Sequence, residues 1–174
     1  MSDRWSQAIK EAYAAAPSDT IILHTLELHH PAFSTPLRVV RDHQDLTATL
    51  EADAPVDGGQ EVLFVAFPFD FRLPPRKRDG GPQELEIVID SVDRQIIAAL
   101  EDAVTQPHPI IAYYRPYLST DLSQPHMIPP LRVQLRDVRV DVMRVTARAR
   151  PDDYAQMPFP GELYTPERFP GLLR

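Results

Sequence analysis

Residues 131–150 read LRVQLRDVRVDVMRVTARAR, an alternation of apolar and polar side chains that is typical of a β-strand. The apolar residues occupy odd positions from Leu131 to Leu135, even positions from Val138 to Val142, and odd positions again from Met143. Because alternate residues of a strand face opposite sides, a slip of one residue exchanges the two faces. The stretch therefore predicts one long strand with bulges near residues 136–137 and near Val142.

Six further segments have the alternation or the length of strands. They are residues 20–30, 37–41, 47–50, 61–73, 85–90 and 110–118. The strongest is 61–73, in which the odd-numbered apolar residues from Leu63 to Leu73 would share one buried face. Pro68 cannot donate a ladder hydrogen bond, which predicts an edge position or a bulge there. The segments 37–41 and 47–50 fit either one broken strand or a hairpin.

Two segments have the spacing of amphipathic helices. Residues 3–16 follow a possible cap at Ser2 or Asp3 and precede Pro17, and residues 92–104 follow a cap at Asp90 or Ser91. Because strands outnumber helices and do not alternate with them, we predict an α+β fold. The expected form is a mostly antiparallel β-sandwich or split barrel. One helix, 92–104, packs across it, and an N-terminal helix and an extended C-terminal arm complete the chain.

The chain divides into one predicted α+β domain, 1–150, and a proline-bearing arm, 151–174. Nineteen of the 174 residues are proline, against a usual ~5%. The arm has no periodicity, and prolines separate its apolar residues. Apolar residues without a core of their own need another surface to pack on. The sequence leaves open whether that surface belongs to the same domain or to a neighbouring subunit.

Charge is distributed unevenly along the chain. Residues 131–150 contain six arginines and two aspartates, which give this stretch a charge of +4. Because the net charge of the whole chain is −7, the remaining residues together carry −11. A basic strand on an acidic molecule is complementary to other copies of it. We predict that this strand meets an acidic surface of a neighbour, for which the candidates are Asp45, Glu51, Glu84, Glu86, Glu101 and Asp102. The alternative is that the arginines only solvate an outward face.

The composition excludes several kinds of chemistry. The absence of cysteine excludes disulfides, thiolate catalysis and cysteine-ligated metals, and is typical of a protein made in a reducing cytoplasm. The sequence has no nucleophile elbow, phosphate-binding loop, dinucleotide fingerprint or zinc-protease helix motif. We therefore predict no catalytic residue, no cofactor and no metal site. We also predict no signal peptide and no membrane helix, because no apolar run reaches ~18 residues.

Three histidines, His24, His29 and His30, are the best candidates for a metal site. On an extended strand His24 and His30 would share a face but lie ~20 Å apart, too far to bind one ion. Two alternatives stay open: a metal- or carboxylate-dependent hydrolase, and a nucleic-acid-contacting module using the arginines of 131–150. The first requires ligands that converge in a cleft, and the second predicts binding that weakens steeply with salt.

Five stretches of the sequence are similar to stretches in other proteins. They are WSQAIKEAY (5–13), RVVRD (38–42), FVAFPFDF (64–71), YRPYLSTDL (114–122) and LYTPERFPG (163–171). Together they resemble a family of proteins from phage tail gene clusters that is described as a domain of unknown function. The resemblance spans residues 4–173, and its motifs identify a family rather than a reaction.

This resemblance implies a structural component of a phage tail tip or baseplate, and not an enzyme. Family members resemble, in gene position, minor tail proteins encoded between the tape-measure protein and the central fibre. The implied assembly is a trimeric or hexameric ring of this chain in the virion tail, with other phage tail proteins as partners. No membrane and no specific nucleic acid is expected to take part.

The predicted fold is similar to the tail-tube type, in which rings close by joining sheet edges and by lending arms and loops. The predicted inter-subunit segments are the loop 74–83, the loop 119–130 and the arm 151–174. The predicted interface residues are Arg76, Lys77, Arg78, Arg144, Arg148, Arg150, Phe159, Leu163, Tyr164, Phe169 and Leu172.

Overall fold

The computed structural model describes residues 4–15, 17, 19–72, 85–90, 94–141 and 144–151. Within these residues the chain forms two helices, α1 (Gln7–Ala15) and α2 (Arg94–Thr105). It also forms nine strands: β1 (Ile22–His29), β2 (Leu37–Val40), β3 (Leu46–Thr49), β4 (Glu61–Ala66), β5 (Phe69–Arg72), β6 (Leu85–Asp90), β7 (Ile110–Leu118), β8 (Leu131–Asp141) and β9 (Arg144–Pro151). Neither of these helices is long and apolar enough to cross a membrane.

The strands form one mixed sheet in the order β3-β4-β2-β1-β7-β8-β9-β6-β5. The pairing of β2 with β4 is parallel, and the other described pairings are antiparallel. A mostly β chain with two helices confirms the predicted α+β class. The strands β6 and β7 have the predicted bounds, and β1 lies within its predicted segment.

The middle of the sheet is buried on both faces. On one face Leu26 and Leu28 of β1 join a core that includes Leu100 and Ala103 of α2, which confirms that the second helix packs across the sheet. On the other face Leu23 joins a second cluster, whose further members are Val40, Leu46, Ala48, Leu50, Val62, Phe64 and Tyr117. Because β1 is covered on both sides, the polar side chains that it carries are also enclosed.

The N-terminal helix begins later than predicted. Its cap is Ser6, whose Oγ accepts a hydrogen bond from the amide of Ile9 at 3.3 Å, and not Ser2 or Asp3. Trp5 instead forms a β-bridge with Met127, which holds the preceding chain in an extended conformation. Ile9 and Ala12 then pack against Leu118 at the end of β7.

The segment 61–73 differs from its prediction in two respects. It divides at residues 67–68 into β4 and β5, which lie in opposite halves of the sheet. In β4 the even-numbered Val62 and Phe64 are buried, whereas Leu63 and Val65 are 54% and 39% exposed, so the predicted face was wrong. The reason is that Val62 and Phe64 pack into the second core cluster, with Val40, Leu46 and Tyr117. The segments 37–41 and 47–50 were predicted to form either one broken strand or a hairpin. They form neither, because β4 lies between β2 and β3.

The stretch 131–150 is a hairpin and not one long strand. Strands β8 and β9 pair antiparallel from Val133↔Pro151 to Asp141↔Arg144. The predicted bulge near residues 136–137 is confirmed by a register shift between Arg136 and Arg139 and by the left-handed backbone of Asp137 (φ 51°). The second predicted bulge corresponds to the connection of the hairpin. Residues 142–143 themselves lie outside the described part of the chain.

Candidate functional site

Charged side chains are buried at the centre of the sheet. Glu27 of β1 and Arg115 of β7 have no solvent exposure, and Glu51, just after β3, is 6% exposed. Buried charges are rare in proteins unless they are paired, because their desolvation is costly. Their arrangement is therefore the first place to look for a specific role.

Arg115 is held by two carboxylates. Its Nε and Nη2 each donate a hydrogen bond of 2.7 Å to Glu51, in the bidentate geometry that suits a guanidinium. Its Nη1 lies 3.4 Å from Oε2 of Glu27, and Thr25 donates a 2.7 Å bond to its backbone carbonyl. The guanidinium also lies 5.3 Å from the ring centre of Tyr113. One arginine thus links β7 to β1 and to the chain after β3.

Glu27 extends the network to β2 and to the loop before β4. Arg38 donates from Nε to Oε2 of Glu27 at 3.1 Å and from Nη2 to Asp57 at 2.7 Å. His29 Nε2 contacts the second oxygen of Glu27. We call Glu27, Glu51, Asp57, Arg38, Arg115 and His29 the buried charge network.

The loop 51–60 has the backbone chemistry needed to bring Glu51 and Asp57 into this network. Its amides Ala54 and Gly59 donate to the carbonyl of Glu51 at 3.2 and 3.1 Å. Asp57 and Gly59 adopt left-handed conformations (φ 55° and 71°), and a Cβ on Gly58 would lie 2.5 Å from the carbonyl oxygen of Ala52. The two adjacent glycines, Gly58 and Gly59, therefore serve a tight loop that closes on itself.

Two members of the network, Glu27 and Arg115, are held in their charged forms. Burial alone would raise the pKa of Glu27, but the bonds from His29 and Arg38 and the charge of Arg115 together lower it. Burial alone would lower the pKa of Arg115, but Glu51 and Glu27 together raise it. Groups held this way do not exchange protons near neutral pH, so the geometry favours a structural role over acid–base chemistry.

A cavity of about 530 Å³ lies beside the network, at the end of the sheet where β1 ends and β7 begins. Its lining is largely apolar, with His29 shared with the network and Arg132 of β8 at its edge. The other lining residues are His30, Pro31, Phe33, Ser34, Pro36, Val56, His108, Pro109 and Ile111. The size and lining are those of a site that binds a small molecule or a few side chains.

The three histidines considered as metal ligands, His24, His29 and His30, each contact different groups. His24 lies on the helix-covered face, where its Nδ1 is 2.8 Å from the hydroxyl of Tyr114, and burial followed by the charge of Arg41 lowers its pKa. Both ring nitrogens of His30 are bonded, one to the amide of Ala32 and one to the carbonyl of His108. Among the described residues, no three histidine or carboxylate side chains are placed to share a metal ion.

The predicted basic surface lies on the hairpin. Arg136, Arg139, Arg144 and Arg148 are exposed on β8 and β9, on the sheet face opposite α2, while Arg150 is partly buried. Arg136 and Arg148 are register partners, so like charges lie side by side. We call Arg136, Arg139, Arg144 and Arg148 the hairpin arginines.

Two of the predicted acidic partners, Glu51 and Glu86, already lie beside arginines of the same subunit, and most of the predicted contact residues lie outside the described part of the chain. Glu51 is buried against Arg115 and cannot serve as an acidic surface for a neighbour. Glu86 is the register partner of Arg148 within the same subunit. The predicted interface residues Arg76, Lys77, Arg78, Phe159, Leu163, Tyr164, Phe169 and Leu172 lie outside the described residues, as do the loop 74–83 and nearly all of the arm 151–174.

Glu27 shares a face of β1 with Thr25 and His29, and sequence reasoning did not identify it as buried. A signal was available, because a lone acid between Leu26 and Leu28 and a lone arginine within a tyrosine-rich strand are candidates for a buried pair. Their partnership could not be read without the pairing of β1 with β7.

Residues 8–164 match the model of a protein family described as Domain of unknown function (DUF1833). No curated protein matches the chain.

Proposed function

The chain belongs to the DUF1833 family, and we propose that it is a structural component of a bacteriophage tail tip or baseplate, assembling as a ring or hub between the tail tube and the central fibre. The ring is made of copies of this chain, with three-fold or six-fold symmetry. The chain works by holding a rigid surface in place, not by catalysing a reaction.

The hairpin arginines are the observation that carries this proposal. Four exposed arginines lie on two paired strands of a molecule with a net charge of −7. Two exposed aspartates, Asp137 and Asp141, lie among them, so the hairpin carries an excess of exposed positive charge. Such an excess on rigid strands is suited to set the orientation of a partner of opposite charge. The remainder of the chain carries −11, so a second copy is such a partner.

The buried charge network supports the same role. Arg38 lies in the stretch RVVRD, and Arg115 lies in the stretch YRPYLSTDL, both of which resemble phage tail proteins. In this structure these two arginines bind the carboxylates that join β1, β2, β7 and the loop 51–60. The resemblance therefore includes residues that rigidify the sheet, as a ring subunit requires.

Two short strands lie at the ends of the described sheet. β3 and β5 are the terminal strands of the sheet, each with four residues. Next to β3, Leu63 and Val65 of β4 present an apolar surface. Joining such edges between subunits would give the tail-tube type of ring and would cover this apolar surface.

The test is the composition of purified tails. Particles from the phage or prophage that encodes the chain should be separated into capsids and tails and examined by quantitative mass spectrometry. We expect the chain in the tail fraction, in a multiple of three copies per tail, and not in the capsid fraction. Tails that contain the tape-measure and fibre proteins but not this chain would overturn the proposal.

The same arginines favour one alternative, a module that contacts nucleic acid. That function predicts binding to a DNA duplex that weakens by orders of magnitude between about 50 and 200 mM salt. Titration of labelled DNA with the purified chain at two salt concentrations separates the two proposals. Steeply salt-dependent binding, together with absence from tails, would favour the alternative.

A further inference from the structure

The outer face of β4 is apolar at its centre and acidic at both ends. Leu63 and Val65 are 54% and 39% exposed, and they point away from the core. The exposed Glu61 begins the strand on the same face. At the other end Asp45 is held beside the strand, because its Oδ1 accepts a hydrogen bond of 2.8 Å from the amide of Ala66. We call Asp45, Glu61, Leu63 and Val65 the β4 patch.

The β4 patch defines the chemistry of the partner that it suits. Covering Leu63 and Val65 is favourable because it removes apolar surface from water. The carboxylates of Asp45 and Glu61, at the two ends, favour a partner with a positive charge opposite each of them. The partner should therefore carry two cations on a rigid surface, with uncharged side chains between them.

The outer face of β9 has this pattern. Arg144 and Arg148 are exposed, and the half-buried Thr146 lies between them on the same side, because alternate residues of a strand share a face. Val145 and Ala147 point the other way, into the core that includes α2. The face of β9 that lies opposite α2 therefore presents two arginines separated by one uncharged side chain.

The spacing of the charges agrees between the two surfaces. Glu61 lies four residues before Val65, and Asp45 is bonded to the amide that follows Val65. Since a strand rises about 3.4 Å per residue, the two acidic residues are roughly 14 Å apart along β4. Arg144 and Arg148 are also four residues apart in β9, which separates them by roughly 14 Å as well. Both acidic residues can thus face an arginine in the same contact.

The two arginines have acidic neighbours in their own subunit, which a second contact can tolerate. Asp141 is the register partner of Arg144, Asp137 lies 3.5 Å from Arg148, and the partners of both arginines on β6 are acidic. Strands β6, β8 and β9 still contain six arginines and only four acidic residues. A guanidinium has five donors and can bind two carboxylates, as Arg115 does in the buried charge network.

We infer that the β4 patch of one copy binds the outer face of β9 in the next copy. Its two carboxylates lie against Arg144 and Arg148, and its apolar residues lie against Thr146 and the aliphatic stems of the arginines. The contact, which rests on the proposed function, places the β3–β4 end of one sheet over the hairpin of the next. Because the two surfaces are on different strands, the contact is head-to-tail, the kind that closes into a ring when the rotation between subunits permits.

Disulfide formation between copies tests this contact, since the chain has no cysteine of its own. Leu63→Cys and Thr146→Cys should be made in separate full-length chains, one of them isotopically labelled, which are then mixed at high concentration and oxidised. The matched control mixes Leu63→Cys with Thr120→Cys, because Thr120 is an exposed threonine outside both surfaces. Mass spectrometry measures the rate at which each mixed disulfide appears.

We expect the disulfide between Leu63→Cys and Thr146→Cys to form at least about tenfold faster than the control, because the contact raises the local concentration of one thiol at the other. Equal rates would overturn the inference, since they are expected of random collisions. A faster disulfide between two Leu63→Cys chains would overturn it as well, because the β4 patch would then bind its own kind.

Charge reversal tests whether the carboxylates and the arginines pair. Arg144→Glu and Arg148→Glu, each added to the chain with the cysteine on β9, should slow the mixed disulfide by about fivefold, whereas Lys10→Glu should not. Glu61→Arg, added to the chain with the cysteine on β4, should restore the rate with one of the two arginine variants only. Restoration with neither variant would mean that no such pair exists, and equal restoration with both would mean attraction by net charge alone. Either result would overturn the inference.

Both measurements use the purified chain in solution, whereas the proposed function is tested by the composition of tails. If the chain is absent from tails and the mixed disulfide forms with the expected preference, the proposed function fails and the contact between copies stands. If the chain is present in tails and the mixed disulfide forms no faster than the control, the contact alone is wrong.

Discussion

Arg115 and Glu51 form a buried bidentate ion pair, with two hydrogen bonds of 2.7 Å between the guanidinium and the carboxylate. They come from β7 and from the residue that opens the loop 51–60, which are 64 positions apart in the chain. The pair thus connects the central strands to the part of the chain that carries β3 and β4. Glu27 is the second carboxylate beside Arg115, and it also forms an ion pair with Arg38.

Removing one partner of this pair should strongly destabilise the fold. In Glu51→Gln the guanidinium of Arg115 keeps its burial but loses half of its compensating charge, and we expect the free energy of unfolding to fall by about 3–5 kcal/mol. Arg115→Met should cost a similar amount. The double variant should lose less than the sum of the two, since each single change already breaks the same contact.

The matched control is an exposed pair of the same type. Arg148 and Asp137 lie 3.5 Å apart with both side chains more than 60% exposed. Arg148→Gln should change the free energy of unfolding by less than about 1 kcal/mol. Urea denaturation measures all of these variants, and a Glu51→Gln variant no less stable than Arg148→Gln would contradict the assigned role of the pair.

Glu27 predicts loss of stability in acid. Its folded pKa is lowered below the ordinary value of 4.5, with the bonds from His29 and Arg38 and the charge of Arg115 together outweighing burial. The unfolded chain therefore takes up the proton first, so the stabilisation is present above pH 4.5 and is lost as the pH falls toward the folded pKa.

In Glu27→Gln, the free energy of unfolding should be lower at neutral pH and should change less between about pH 5 and pH 3 than in the unmodified chain. The same substitution at the exposed Glu61 controls for the loss of one carboxyl group. Urea unfolding at several pH values measures both. If the free energy of unfolding of Glu27→Gln fell with pH as steeply as that of the unmodified chain, another group would be the cause of the loss of stability in acid.

The conformation of the loop 51–60 requires a glycine at position 58, because there is no room for a Cβ there. Gly58→Ala would place a Cβ 2.5 Å from the backbone oxygen of Ala52, and backbone cannot move aside as a flexible side chain can. We expect a loss of about 1–3 kcal/mol in the free energy of unfolding, because the loop must shift and carries Glu51 and Asp57 with it. Gly59→Asn is the control, since Gly59 needs a left-handed backbone (φ 71°) that asparagine adopts readily. Equal stability of both variants in thermal denaturation would contradict this account.

Local pattern predicted some elements well and failed where two patterns competed. Strands β6 and β7 have the predicted limits. In β4 the consecutive apolar residues from Val62 to Val65 supply both faces, so alternation could not choose between them, and pairing with β3 and β2 decided it. The hairpin of β8 and β9 was missed because Val142 and Met143 at its connection are not turn residues by type.

The candidate site was harder to predict for a different reason. A charged residue within an alternating strand normally faces water, and the rule holds for Arg144 and Arg148. Glu27 and Arg115 are exceptions because the loop 51–60 covers their face of the sheet and supplies Glu51 and Asp57 as partners. No local pattern encodes that cover, since it depends on the order of strands across the sheet.

The last prediction concerns the hairpin arginines and rests on the proposed function. Arg144→Glu/Arg148→Glu reverses two exposed charges on β9 and should leave the free energy of unfolding within about 1 kcal/mol of the unmodified chain. Arg150 is left intact because its Nε is buried, so its reversal would also disturb the fold. If this face orients a neighbouring subunit, reversal places like charges against an acidic surface, and the variant should be folded but excluded from tails.

Lys10→Glu/Arg41→Glu is the matched control, since it makes the same change in net charge at two exposed positions outside the hairpin. Both variants should be supplied to a phage that lacks its own copy of the gene, and the chain quantified in purified tails. We expect the control in tails at the level of the unmodified chain and the hairpin variant at less than about a tenth of it, since several weak pairs act together in one interface. Full incorporation of Arg144→Glu/Arg148→Glu into infectious tails would mean that these arginines only solvate an outward face.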